Sequence, residues 1–189
     1  MTTRKIIGIG PNKTGTVTLW RVLEDVYGLR VLHDAGIGKA VTDAALRGNR
    51  HPAFDDFDVF LDGPYHRAAM EFRKFEDVSY LLHVRDLEKW ITSRLTHVLY
   101  NRVTKTSQWL HADTYRWRSE WNKIHNTAYE LKKLGEQVVF FDACGESDNP
   151  TGFEGLEPFD LTPLKPLPDW PKYNTGTDRL QRILEHYGG

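Results

Sequence analysis

The chain has 189 residues, with 25 Lys plus Arg against 26 Asp plus Glu and a formal net charge of −1. That length suits one domain with a proper core, read here as spanning 1–189, and the balanced charge offers neither a basic field for duplex nucleic acid nor an acidic tail. One cysteine, Cys144, excludes an internal disulfide or a multi-cysteine metal site, and without a signal-like or membrane-length apolar run the expectation is a soluble cytoplasmic protein, with no nucleic-acid or membrane partner.

Lys5-Ile6-Ile7-Gly8-Ile9-Gly10 is a short apolar run, long enough for one buried strand. Pro11 to Gly15 form a tight turn, and from Thr16 the apolar residues Leu19, Leu23, Val26 and Tyr27 fall at helical spacing. N–H groups in the first turn of a helix have no partner within it, and the helix dipole adds positive charge there. A strand, a glycine-bearing loop and a helix therefore make a ready anion site. Lys13 adds a mobile charge; Thr14, Thr16 and Thr18 add hydroxyl donors. The order Lys13-Thr14-Gly15-Thr16 inverts the nucleotide-hydrolase loop, in which Lys follows the second glycine directly.

Leu29–Leu32 reads as a second short strand ending at His33-Asp34. A short helix is expected over 37–47, with Ala40, Val41, Ala44, Ala45 and Leu46 as its apolar face. Phe57–Leu61 is a third strand, stopped by Asp62-Gly63-Pro64, and Arg67 to Phe75 is helical. Val78–Val84 is the clearest strand, ended by Arg85-Asp86. Leu87, Trp90, Ile91, Leu95, Val98 and Leu99 mark an amphipathic helix. A longer one runs over 112–134, with Trp117, Trp121, Ile124, Ala128 and Leu131 on one side and Gly135 closing it. Val138–Phe141 is a further strand. Residues 145–176 are rich in Pro and Gly, and Thr177 caps a last helix with Leu180, Ile183 and Leu184 inward.

Strands alternating with helices imply parallel βαβ units, whose ligands sit beyond the carboxyl ends of the strands. The residues there are Lys13, His33, Asp62, Arg85 and Asp142. Ser93, eight residues after Arg85, falls off the apolar stripe of its helix. An arginine fork with a hydroxyl makes a second phosphate site.

The inverted loop, together with strand-end Arg85 and Ser93, resembles the sulfotransferase family that uses 3′-phosphoadenylyl sulfate. The specific match lies in Lys5–Trp20 and Val78–Ser93; weaker likeness covers Phe57–Pro64 and Leu167–Asn174. The resemblance implies a three-layer α/β sandwich of P-loop NTPase-like type, its central parallel sheet having about four or five strands flanked by helices. It implies that Asn12, Lys13, Thr14, Gly15, Thr16, Val17 and Thr18 hold the 5′-phosphosulfate and that Arg85 and Ser93 hold the 3′-phosphate. The co-substrate would be 3′-phosphoadenylyl sulfate, with no metal. Departures exist: Asn12 separates Pro11 from Lys13, and Val17 stands where many members have Thr. The tryptophan that stacks on adenine in several members would fall at Thr18, leaving Trp20 as a displaced substitute. The Arg-Lys-Gly segment near the family's C-terminus is absent, with Lys172 as a stand-in.

Sulfuryl transfer is an in-line displacement, so its site needs donors set around the equatorial and leaving oxygens. Lys13 is the candidate for the bridging oxygen. The acceptor needs a base; where many members have His two residues before a Pro, this chain has Asp62, with His33 and His66 as the other candidates. Trp109, Trp117, Trp121 and Tyr115 could line an acceptor pocket, although core packing is the simpler role for Trp117 and Trp121. The acceptor would be a small molecule or a glycan. A small P-loop kinase and a non-catalytic nucleotide-binding relative are the competing readings.

Overall fold

The computed structural model describes residues 4–74, 77–104, 111–145, 149, 151–171 and 183–185. Trp109, Lys172, Asn174, Thr177 and Leu180 lie outside them. In chain order the elements are β1 (Lys5–Gly8), α1 (Thr16–Asp25), β2 (Val31–His33), α2 (Ala35–Leu46), α3 (Ala53–Asp56), β3 (Val59–Leu61), a 3₁₀ turn (Tyr65–Ala68), α4 (Ala69–Phe72), β4 (Val78–His83), α5 (Leu87–Val103), α6 (Thr114–Lys133), β5 (Val138–Phe141) and a second 3₁₀ turn (Glu154–Phe159).

The five strands form one sheet in the order β2-β3-β1-β4-β5, and every pairing is parallel. Successive side chains of a strand point to opposite faces. Ile7, Phe60, Tyr80 and Leu82 meet Val41, Phe72, Ile124 and Leu131 on one face. Ile6, Val59, Leu61 and Leu81 meet Leu19, Val22 and Leu23 of α1 on the other. Helices on both faces explain why the strands read as unbroken apolar runs rather than as alternating ones.

The starts of the three longest helices, α2, α5 and α6, are marked by aspartates. Asp34, Asp86 and Asp113 accept from the N–H groups of Ile37, Lys89 and Arg116 at 2.7, 2.9 and 2.9 Å, which satisfies donors that the helix itself leaves unpaired. Helix α1 differs: its N-cap is Gly15, with no side-chain cap bond.

Several boundaries shift. The stretch expected to be one helix from Arg67 is a 3₁₀ turn followed by a single α turn, and α3 adds a turn before β3. Leu46, Leu99 and Leu184 are exposed rather than inward. Each sits next to an apolar neighbour about 100° round the helix, and only one of two adjacent residues can face a narrow core stripe. Ile183 is the buried one of the last pair.

Two glycines of the first strand and its loop are explained by one histidine. His83, the last residue of β4, is 1 % exposed. A Cβ on Gly8 would lie 2.8 Å from its Cε1, and a Cβ on Gly10 would lie 2.6 Å from both its main-chain nitrogen and its Nδ1. The strand end is thus carved to admit an imidazole.

Candidate active site

Strand order decides what surrounds the loop after β1. Its neighbours in the sheet are β3 and β4, so Asp62 follows the strand on one side and Arg85 the strand on the other. His33 lies one strand further out, paired in register with Leu61, the residue before Asp62.

The loop itself has a left-handed residue at Lys13, with φ +65°, and another at Gly15, with φ +83°. Such alternation curls successive amides around a concavity that suits an anion. Glycine is required at 15 for conformation, and for space as well: a Cβ there would lie 2.6 Å from that of Ala143.

Three consecutive carbonyls of the loop are each taken by a donor. The Thr14 hydroxyl donates to Pro11 O at 2.6 Å, the Trp90 indole Nε1 to Asn12 O at 2.7 Å, and Arg85 Nη1 to Lys13 O at 2.9 Å. A trans peptide points its carbonyl and the following N–H in opposite directions. Each of these peptides therefore turns its N–H, that of Asn12, Lys13 and Thr14 in turn, away from the donor that holds its carbonyl. The uncapped first turn of α1 adds its own N–H groups and dipole to the same mouth.

The expected loop residues therefore divide by what they offer. Thr14 is fully buried and its hydroxyl hydrogen is spent on Pro11, so its contribution is the backbone amide rather than the hydroxyl donor expected from its type. Thr16 and Thr18 are buried within the first turn of α1; Asn12, Lys13, Gly15 and Val17 are half-buried. The buried Asn12 Oδ1 has no hydrogen-bond partner among the described residues. Arg85 reaches the loop, as its bond to Lys13 O shows, and Ser93 stands half-buried on α5.

On the opposite side, Asp62 adopts φ +59° and is half-buried. Burial raises its carboxyl above the ordinary carboxylate range; His33 and Lys13 pull it back, and Asp34 pushes it up again. Asp62 thus shares one electrostatic neighbourhood with Lys13 and His33. Burial, with Arg67 and Lys123, brings His66 down to about 4. Asp142 is buried and accepts from the N–H groups of Cys144 and Gly145, which shapes the turn after β5.

Trp20 stacks on His33, with ring centroids 4.9 Å apart and planes 9° apart, and the Arg21 guanidinium lies 4.3 Å from the same ring. Its ring is engaged by two neighbours, which leaves it poorly placed as an adenine platform. Trp117 is buried and Tyr115 is 86 % exposed; the first is core, and the second projects outward. Among the described residues no group of three or more His, Cys, Asp or Glu is placed to hold a metal, and no helix is long and apolar enough to cross a membrane.

The residue that sequence reasoning missed is Trp90, counted there as one member of an apolar stripe. A buried indole keeps an N–H that needs an acceptor, and that need was the available signal.

A five-stranded parallel sheet flanked by helices, with a glycine-bearing loop after its central strand, defines a P-loop-like α/β fold. The sulfotransferase domain model matches residues 5–143, more than half of the chain, and the chain belongs to that family. The match takes in the loop, Asp62, Arg85 and Ser93. Membership makes the protein a transferase of sulfuryl groups that draws on a sulfonate donor. No curated protein gives a significant match to the chain.

Proposed function

We propose that this chain transfers the sulfuryl group of 3′-phosphoadenylyl sulfate to a hydroxyl or amine of a small-molecule or glycan acceptor. The observation that carries the reading is the bond from Arg85 to the Lys13 carbonyl at 2.9 Å. It joins the guanidinium to the loop itself, which supports the reading that loop and arginine serve one ligand.

In this reading the amides of residues 12–14, with the first turn of α1, hold the 5′-phosphate, and Arg85 with Ser93 holds the 3′-phosphate. The co-substrate supplies an activated sulfuryl group. As the acceptor oxygen or nitrogen bonds to sulfur, the bond from sulfur to the bridging oxygen breaks and leaves its electron pair on that oxygen. The Lys13 ammonium meets the charge that builds there. Asp62, whose carboxyl burial has made more basic, takes the proton released by the acceptor. His33 tunes that carboxylate and is not itself the base.

Calorimetry with adenosine 3′,5′-bisphosphate, set beside ATP, tests the reading. Tight binding of the bisphosphate with weak binding of ATP is expected. A preference for ATP overturns it in favour of a kinase-like role.

A further inference from the structure

Trp90 is fully buried, yet its one polar atom is spent outside its own helix, on the Asn12 carbonyl. The peptide whose carbonyl it holds carries the Lys13 N–H on its other side. The direction of that amide is therefore set from α5.

Trp90 is itself held. Arg94, one turn further along α5, places its guanidinium 4.8 Å from the Trp90 ring centroid and 4.7 Å from that of Trp117 on α6. Arg94 is 5 % exposed, and its Nη1 meets Glu120 Oε2, also on α6, at 3.3 Å. The Trp121 ring lies 5.2 Å from that of Trp90. A buried arginine between two indoles carries a desolvation cost that an aliphatic residue would avoid; in return it fixes the plane of the ring that reaches the loop. If Trp90 served only to pack α5 on α6, any acceptor would do for its N–H. Its acceptor is instead a carbonyl of the loop after β1, so the partner amide of Lys13 points away from α5.

We infer that Trp90 is a positioning residue for the donor site, aiming the Lys13 amide at the 5′-phosphate through the Asn12 carbonyl. The inference rests on the donor reading above. Two variants test it: Trp90→Phe, and replacement of Trp90 by benzothienylalanine, a ring of the same size with sulfur in place of the N–H. Calorimetry uses adenosine 3′,5′-bisphosphate and adenosine 5′-monophosphate; thermal melts and steady-state rates accompany it. For both variants, Kd for each nucleotide and the KM for the sulfonate donor are expected to rise about tenfold, the effect of one lost buried bond. The benzothienylalanine variant should lose no more than the few degrees of Tm that one unmade buried bond costs and keep the wild-type acceptor KM, a split between the two substrates that a packing role would not produce. If the wild type binds both nucleotides and the benzothienylalanine variant binds them equally well, the inference falls alone. If the wild type binds neither nucleotide, the donor reading falls and takes the inference with it.

Discussion

Arg85 is joined to Lys13 through the main chain: its Nη1 donates to the Lys13 carbonyl oxygen at 2.9 Å. One guanidinium thus braces the loop and supplies charge beside it. A second reach, toward a 3′-phosphate, would use the other edges of the same planar fork.

Arg85→Ala removes both roles. Affinity for adenosine 3′,5′-bisphosphate is expected to drop about 100-fold, as loss of charge-assisted bonds to a phosphate implies. Adenosine 5′-monophosphate, which has no 3′-phosphate, should lose about tenfold from the brace alone. Calorimetry with the pair separates the two contributions, and an unchanged monophosphate affinity would show that the loop does not need the brace.

Lys13→Ala should behave differently. A side chain that meets charge on the leaving oxygen acts mainly in the transition state, so kcat is expected to fall about 100- to 1,000-fold. Binding of the bisphosphate product should weaken far less. Equal losses in rate and in product affinity would make Lys13 a binding residue only.

Asp62→Asn carries a prediction in two directions. Removing a general base should lower kcat about 100- to 10,000-fold. The wild-type rate should fall with acid along a limb that lies above the ordinary carboxylate range, because burial raises the Asp62 carboxyl; Asp62→Asn should lose that limb. Stability should move the other way. A carboxyl raised on folding binds its proton more tightly in the folded chain, so its contribution is present in acid and lost as pH rises through the folded value. At neutral pH the ionised group is a cost, and asparagine, which tolerates the left-handed φ at this site, removes it. Tm at neutral pH is expected to rise while activity falls; a lower Tm would show that the carboxylate is held by more than it gives up.

Acid stability should follow the buried histidines. Both ring nitrogens of His83 are buried with no hydrogen-bond partner among the described residues, and burial, with His33 nearby, brings it down to about 3. Its ordinary value is 6.5, so below that value the unfolded chain takes up a proton that the folded chain refuses. Stability is then lost as pH falls from about 6.5 toward 3, by about 2 kcal/mol between pH 7 and pH 5 for one such group. His66 adds to the same slope, being brought down to about 4. Denaturant melts at the two pH values should show a smaller drop for His83→Leu than for the wild type; an equal drop would mean that His83 can charge without unfolding.

The architecture was legible because the strands announce themselves. Buried on both faces, they read as short apolar runs, and the glycine-bearing turn after the first is distinctive in composition. Arg85, Lys13 and Asp62 stand out as residues that follow strands, with the loop composition marking Lys13 and the family resemblance giving Asp62 its candidate role. Less visible was everything that depends on a partner far along the chain. Periodicity sees Trp90 as one more apolar position and cannot see that its N–H spans to Asn12. Residue type makes Thr14 a candidate phosphate donor, whereas the tight turn folds its hydroxyl back on Pro11. Trp20 is a free ring on paper and a stacked one beside His33. The single turns of α3 and α4 are too short to repeat a helical pattern even once, so no period could reveal them.

The histidine slot at the end of β4 makes two glycines unequal in the substitutions they can survive. At Gly8 the obstacles nearest a new methyl are the tips of His83 and Leu61, at 2.8 Å each, with the Phe60 carbonyl oxygen at 3.1 Å; shortening the two side chains leaves only a shift of a few tenths of an ångström for the backbone to absorb, so alanine there is open to rescue. At Gly10 the obstacle includes the backbone nitrogen of His83 at 2.6 Å, which no exchange of side chains can move. Drift in the sequence could therefore pass through position 8 by compensated steps, while position 10 has no such route.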